Sequence, residues 1–269
     1  MNKYCIGITT LMAGLFLSAC GGDNDKKAEP LMSSSSISMS SMSMSSSTMS
    51  SSVSSSLAAK VVMKYSVKVT NLTPGQPFAP AALVLHTANY KAFEVGMAAS
   101  LGLEKLAEGG DPTAFLVEAL SNRATYMTAK GTGMILPGAS ETLMAEVSLI
   151  AADMDMVHLT LITMPANTND AFTGINSINL SKMAVNETII MDTVAYDAGT
   201  EKNTESASTV PGPAAGGEGF NPMRDDSPSV VSMHSGVITK DDGLASSALT
   251  SINRWDNPVA RITITRLTP

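Results

Sequence analysis

Hydrophobic and polar residues alternate along several stretches of the chain, which is the pattern of strands with one buried face. The clearest example is VVMKYSVKVT at residues 61–70, in which valine, methionine or tyrosine takes every second position. Residues 142–150 and the C-terminal ARITITRL, residues 260–267, alternate in the same way. Residues 157–164 and 188–194 are apolar on both faces, which indicates more deeply buried strands. These five segments predict a fold made mainly of strands.

Two other segments follow helical spacing. Leucines recur at three- and four-residue intervals over residues 101–108 and 113–120, which the sequence GGDP separates. Asp111 is a predicted N-cap, with Pro112 at the first helical position. Residues 203–226, which include PGPAAGGEGF, are predicted to form an irregular loop. Many strands with two short helices in one connection predict an all-β antiparallel sandwich.

The N-terminal residues 1–19 have the composition of a secretory signal peptide. A lysine precedes an apolar core that is too short to span a bilayer as a mature helix. The closing LSAC resembles the bacterial lipobox, in which Cys20 is acylated and becomes the new N-terminus; an ordinary signal peptide with an incidental cysteine is the alternative. Gly21 after this cysteine favours the outer membrane. Since Cys5 leaves with the signal peptide, the mature chain is predicted to have no disulfide.

Residues 20–56 are predicted to be a lipidated, disordered tether. Of the 24 residues from 33 to 56, 17 are serine, and such a composition cannot bury a core. The methionines among them are soft ligands for Cu(I), so a metal-handling lipoprotein is one alternative function. Residues 57–269 are long enough for one large β domain, which is the predicted folded part.

The charge and the motif content narrow the classes of function. A net charge of −7 and only 4% aromatic residues argue against nucleic-acid binding. The sequence lacks the nucleophile elbow, the zinc-protease helix motif and the phosphate-binding loops that mark common enzymes, so we expect no enzymatic activity. His234 beside Ser235, with Asp241 and Asp242 nearby, leaves an envelope hydrolase acting on glycan or lipid as a second alternative.

The three histidines and the single tryptophan have simple structural interpretations. His158 lies within an apolar segment and is predicted to pack in a sheet. His86 and His234 lie near predicted loops, where the pair could bind a transition metal together with a carboxylate. Trp255 precedes the last predicted strand and is interpreted as a packing anchor.

Two carboxylates flank a glycine turn in VAYDAGTEKN, residues 194–203. Asp197 and Glu201 carry like charges on either side of Ala-Gly-Thr, and like charges this close need a cation, hydrogen-bond donors or water. Calcium takes six to eight oxygen ligands, and Gly199 would let the backbone curl so that both acids face one point. Two acids are too few, so a third would have to come from a neighbouring loop. The spacing is equally compatible with a simple Asx-turn at Asp197.

Several segments resemble the N-terminal domain of the spondins, the F-spondin and mindin family. The most specific are NTNDAFTGINSINL (167–180) and YDAGTE (196–201), followed by NPVARITITRL (257–267). The stretches VKVTNLTPGQPF (67–78) and HTANYKAFEVGMAAS (86–100) resemble bacterial members of the family. Together these segments span most of residues 61–267 in the family's order.

The resemblance implies a C2-like β-sandwich with a calcium site built by acids on adjacent loops. Carried over by motif, the Ca²⁺ ligands are Asp170, Asp197 and Glu201. The last acid is glutamate where the family has aspartate, and Asn176 stands where the family often has a further aspartate. The resemblance also implies adhesion or recognition. The expected protein is therefore a calcium-binding module on the cell envelope, anchored through Cys20 and recognising a protein or glycan ligand.

Overall fold

Two antiparallel sheets form the framework of residues 59–269, the part of the chain that a computed structural model describes. The predicted signal peptide, Cys20 and the predicted tether of residues 20–56 lie outside the described residues. Within the described range the strands, in chain order, are β1 (Lys60–Asn71), β2 (Ala82–His86), β3 (Thr125–Lys130), β4 (Ser140–Ile150), β5 (His158–Thr163), β6 (Ala171–Asn179), β7 (Thr188–Thr193), β8 (Ala195–Asp197), β9 (Ser232–Met233) and β10 (Ala260–Leu267).

The first sheet has the strand order β4-β1-β10-β7 and presents one face to the core. In β1, Met63, Tyr65, Val67 and Val69 are buried, whereas the lysines and serine between them point away from the core. Val67 lies opposite Ile264 of β10 in the antiparallel register, so the apolar faces of both strands coincide. The alternation read from the sequence is therefore confirmed, because a half-buried sheet repeats its environment every second residue.

The second sheet has the order β3-β2-β5-β6-β8-β9 and is buried on both faces along its central strands. One face packs against the first sheet and forms the main apolar core of the sandwich. The other face is covered by helices α1 (Leu101–Gly109) and α2 (Thr113–Ser121), which both belong to the connection between β2 and β3. The all-β antiparallel sandwich with two short helices in one connection is confirmed.

The two helices begin and end near the predicted residues. Ser100 caps α1 by accepting a hydrogen bond from the backbone N–H of Leu103, and Gly110 ends this helix with a left-handed backbone. The second helix starts one residue later than predicted, with Pro112 at the N-cap position. The carboxylate of Asp111 still accepts the Thr113 N–H at 3.1 Å, so it satisfies one donor of the first turn.

The prediction that residues 188–194 form a buried strand is wrong. β7 is the edge strand of the first sheet, and its residues alternate between exposed and half-buried until the buried Thr193. Ile190 is exposed and points away from the core. The prediction failed because β7 buries only one face of the sheet, and the other face has no layer packed against it. The hydrophobicity of a segment does not show whether both of its faces are covered.

Within residues 59–269 no helix has both the length and the apolar character that crossing a bilayer requires.

Candidate metal centre

The pairing of β6 with β8 brings the predicted acids together at one rim of the sandwich. Ala171, the first residue of β6, lies opposite Asp197, the last residue of β8. Asp170 therefore lies beside the turn that follows β8. The backbone N–H of Ala198 donates to the carbonyl of Asp170 at 3.1 Å and extends this ladder into the turn. Residue 170 therefore lies against the 197–201 turn, although 27 or more positions separate them along the chain.

One oxygen of Asp170 organises the turn. Its Oδ2 accepts hydrogen bonds from the backbone N–H groups of Thr200 at 2.7 Å and Glu201 at 3.1 Å. The hydroxyl of Thr200 also lies 3.2 Å from this oxygen. The other oxygen, Oδ1, is buried and has no hydrogen-bond partner in the described part of the protein. Asp170 therefore holds the turn with one oxygen, while the second has no partner in the described residues.

Asp197 has both carboxylate oxygens engaged within its own loop. Oδ1 accepts the N–H of Gly199 at 2.7 Å, which is the Asx-turn that the sequence also allowed. Oδ2 accepts the side-chain amide of Asn203 at 2.6 Å. Gly199 has φ +68°, and a Cβ there would lie 2.4 Å from the carbonyl oxygen of Val230. The glycine is thus required both by the backbone conformation and by the neighbouring chain.

Glu201 and Glu108 supply two further buried carboxylate oxygens without partners. Glu201 Oε2 and Glu108 Oε1 make no hydrogen bond in the described residues, and the side chains belong to residues only 6% and 1% exposed. Glu108 lies on α1, and the side chain of Thr200, whose hydroxyl approaches Asp170, acts to lower the pKa of the Glu108 carboxyl. Buried polar atoms are normally paired, so these three unpaired carboxylate oxygens require either protonation or a positively charged partner.

The acids perturb one another. Burial, together with the negative charge of Asp197, raises the pKa of Asp170 to about 7. Burial raises the pKa of Glu201 to about 8, and the charges of Glu108 and Asp170 act in the same direction. Burial also raises the pKa of Glu108. Desolvation and like charges both disfavour the ionised form, so near neutral pH the cluster takes up either protons or a cation.

A loop segment closes over the cluster from the helical side. The backbone N–H of Asn221 donates to Glu108 Oε2 at 2.8 Å, and Arg224 forms an ion pair with Glu104 at 2.5 Å. The guanidinium of Arg224 also donates to the carbonyl of Ala99 at 2.8 Å. The next residue, Asp225, donates its N–H to the carbonyl of Thr200. The segment 221–225 therefore joins α1 to the 197–201 turn.

Comparison with known families identifies the family of the chain. The family model described as Spondin_N, the spondin N-terminal domain, matches residues 72–215, which is more than half of the chain. The chain belongs to the spondin N-terminal family. No curated protein matches the sequence.

Two departures from the spondin pattern have distinct structural outcomes. The longer Glu201 reaches into the buried cluster, next to the amide of Asn169. Asn176 instead braces the loop before α1: its Oδ1 accepts the N–H of Ala92 at 3.1 Å and its Nδ2 donates to the carbonyl of Phe93 at 2.7 Å. Both polar atoms of Asn176 are thus used by the backbone of that loop, which assigns this position a structural role.

The donor set of the spondin domain suits a hard cation. The unpaired atoms of Glu108, Asp170 and Glu201 are carboxylate oxygens, the ligands that calcium prefers over nitrogen or sulfur. Among residues 59–269, however, no group of three or more histidine, cysteine, aspartate or glutamate side chains is already arranged to hold a metal ion. Calcium binding would therefore require these carboxylates to turn towards a common point, with backbone carbonyls and water completing the coordination.

His86 and His158 are neighbours in the second sheet, whereas His234 packs against Trp255. Both ring nitrogens of His86 are engaged, one with the carbonyl of Thr87 at 2.7 Å and one with the hydroxyl of Thr160 at 2.9 Å. The ring of His86 lies 6.1 Å from that of His158, whereas His234 packs 5.3 Å from Trp255. His158 lies in β5 and bonds to Ser177, and Trp255 packs against the main core. The packing roles predicted for these two residues are confirmed.

The acids near His234 serve the local backbone. Asp242 accepts the N–H and the hydroxyl of Thr239 and pairs with Arg254. Asp241 accepts the N–H of Ser251 at 2.7 Å. These contacts cap two short 3-10 helices, Lys240–Asp242 and Ser251–Asn253, and account for both carboxylates without a catalytic role.

Sequence reasoning missed Glu108. The signal was present in LEKLAEGG, where Glu104 and Glu108 stand one helical turn apart beside the buried Leu103 and Leu106. Acids on the apolar side of a helix are costly unless they are paired. Glu104 is paired with Arg224, and Glu108 keeps one oxygen free.

Proposed function

We propose that the protein is a non-enzymatic, calcium-binding module of the cell envelope that acts in adhesion or extracellular recognition. The observation that carries the proposal is the set of buried, unpaired carboxylate oxygens at the rim of a spondin sandwich. Of the predicted ligands, Asp170 and Glu201 each contribute one such oxygen, and Asp197 shapes the turn between them. A divalent cation would offset charges that otherwise depend on protonation.

The anchoring part of the proposal depends on Cys20 and the serine-rich tether. Both lie outside the described residues, and the support is the lipobox-like sequence itself. A tethered module has the reach and mobility that binding to a protein or glycan partner requires. We expect wild-type protein to fractionate with outer membranes and to take up labelled fatty acid, and Cys20→Ser to do neither. Equal labelling of both proteins would contradict lipid attachment at this residue.

Calcium binding is tested by calorimetric titration of the purified protein with calcium, magnesium, zinc and copper in turn. We expect calcium to bind with a Kd of roughly 10⁻⁴ to 10⁻³ M, the range of extracellular modules, and Asp170→Asn to abolish the signal. Tight zinc or copper binding with no calcium response would favour the metal-handling alternative. Turnover of esters or glycosides that is lost in His234→Ala would favour the hydrolase alternative.

A further inference from the structure

We propose that Glu108 of α1 is an additional ligand of the calcium ion, so that ion binding ties the helical layer to the rim of the sandwich. This inference rests on the proposed calcium-binding function and deepens it by adding a residue from outside the motif-bearing loops. The ion would then join three parts of the fold that are distant in sequence, namely α1, the residue before β6 and the turn after β8.

The two oxygens of Glu108 have different environments. Oε2 accepts the backbone N–H of Asn221 at 2.8 Å, while Oε1 is buried and unpartnered in the described part of the chain. With the residue 1% exposed, water has little access to this oxygen. An unpaired ionised oxygen in such a position costs free energy, and a cation is the partner that removes this cost most directly.

Glu108 lies near the acids that carry the other unpaired oxygens. Asn221 donates its N–H to Glu108 Oε2, and Asp225 of the same segment donates its N–H to the carbonyl of Thr200, whose hydroxyl lies 3.2 Å from Asp170 Oδ2. The charge of Glu108 also acts on Glu201, whose Oε2 is likewise unpaired. Three acids from three elements therefore surround the same buried region, which exceeds the two acids that the turn alone provides.

Arg224, the cation that acts on Glu108, has its guanidinium engaged elsewhere. Arg224 donates through its guanidinium to Glu104 and to the carbonyl of Ala99, and it acts on Glu108 only through its charge. The other charged groups acting on Glu108 or Glu201 are the acids Glu104, Asp170 and Asp225. The negative charge around Glu108 thus exceeds the positive charge, as a site for a divalent cation requires.

Calcium held by Glu108 would also secure the loop segment 221–225. This segment is attached to Glu108 through Asn221, to Glu104 through Arg224 and to the 197–201 turn through Asp225. Trypsin must take up the guanidinium of Arg224, so cleavage of the following peptide bond requires this side chain to leave Glu104 and Ala99. Trypsin cleavage at this bond therefore reports whether the ion stabilises the contact between α1 and the turn.

The experiment compares calcium affinity by calorimetry in the full-length protein and in Glu108→Gln and Glu118→Gln. Glu118 is the matched control, because it also accepts one backbone N–H, that of Gly102, at 2.8 Å, but lies on α2 and is exposed. We expect Glu108→Gln to weaken calcium binding at least tenfold and Glu118→Gln to change it less than twofold. Calcium should slow cleavage after Arg224 in the wild type and in Glu118→Gln only.

A second variant separates ligation from general charge. Glu108→Asp keeps the charge but withdraws the carboxylate by one methylene, so a ligand role predicts a loss of at least fivefold and a purely electrostatic role predicts little change. Wild-type affinity in both Glu108 variants would overturn the inference while leaving the proposed calcium function intact. Absence of calcium binding by the wild type would overturn the proposed function, and the Glu108 inference with it.

Discussion

Replacing Asp170 with asparagine is expected to stabilise the calcium-free protein at pH 8 and to remove its response to calcium. The amide keeps an acceptor oxygen for the N–H groups of Thr200 and Glu201, so the turn retains its hydrogen bonds. The change removes the ionisable charge from the buried cluster and replaces the unpaired Oδ1 with an amide NH₂ group. A substitution that raises stability while it destroys binding would identify Asp170 as a residue kept for function.

The magnitude follows from the pKa of Asp170, which rises from 3.8 to about 7 on folding. The unfolded chain releases this proton near pH 3.8 and the folded chain only near pH 7, so the free energy of unfolding falls as the pH rises between these values. Each pKa unit is worth about 1.4 kcal/mol, which makes the cost about 4 kcal/mol at pH 8 and about 1.6 kcal/mol at pH 5. The gain from Asp170→Asn should shrink accordingly on acidification.

Other groups do not obscure this trend. Glu201, whose pKa is raised to about 8, destabilises the wild type in the same direction. Burial lowers the pKa of His86 and of His234, so their effect on stability has the opposite sign and is confined to pH values below about 6.5. The histidines are present in both proteins and cancel in the comparison of wild type with Asp170→Asn.

Urea unfolding followed by the fluorescence of Trp255, the single tryptophan, measures the effect. In EGTA at pH 8 the variant should exceed the wild type by about 2 to 4 kcal/mol, and 10 mM calcium should stabilise only the wild type, by roughly 1.4 to 2.7 kcal/mol. The control is Asp192→Asn, an exposed acid paired with Arg261, which should lose slightly in stability and keep the calcium response. A less stable Asp170→Asn that still responds to calcium would refute the reasoning.

Two further predictions concern the scaffold of the site, and chemical denaturation tests both. Arg224→Gln leaves the buried Glu104 without its cation and should cost about 3 kcal/mol, whereas Arg254→Gln breaks an exposed pair and should change stability far less; equal losses would contradict the assignment of a buried ion pair. Gly199→Ala should cost about 3 kcal/mol, because a Cβ would collide with a neighbouring carbonyl, whereas Gly216→Ala has a similar positive φ in open space and should cost about 1 kcal/mol; similar losses would show that the contact is unimportant.

Much of the fold was accessible from the sequence because it is encoded by local periodicity. The alternation in β1 and β10 predicted both strands and their buried faces, and the leucine spacing predicted α1 and α2. The same approach failed for β7, whose apolar run is compatible with either a central or an edge strand. Periodicity shows which face of a segment is buried and which is exposed to solvent. It does not show which strands lie beside the segment in the sheet.

The candidate site was predictable to a similar extent. The motifs of the family pointed to Asp170, Asp197 and Glu201, and the structure places these residues side by side. Their different roles were not visible from the sequence. Asp197 has both oxygens engaged by Gly199 and Asn203, whereas Asp170 and Glu201 each keep one oxygen unpaired.

By itself the sequence determined the class of the fold, the family and the acids of the 197–201 turn, since these follow from short-range patterns and motifs. Only the tertiary structure decided that Glu108, more than 60 positions before Asp170, is linked to it through the segment 221–225 and the turn at Thr200. The pKa of a carboxyl group depends on burial and on charges a few ångströms away, and these are set by which elements pack together. The raised pKa values of the clustered acids therefore depend on how the helices and sheets pack together.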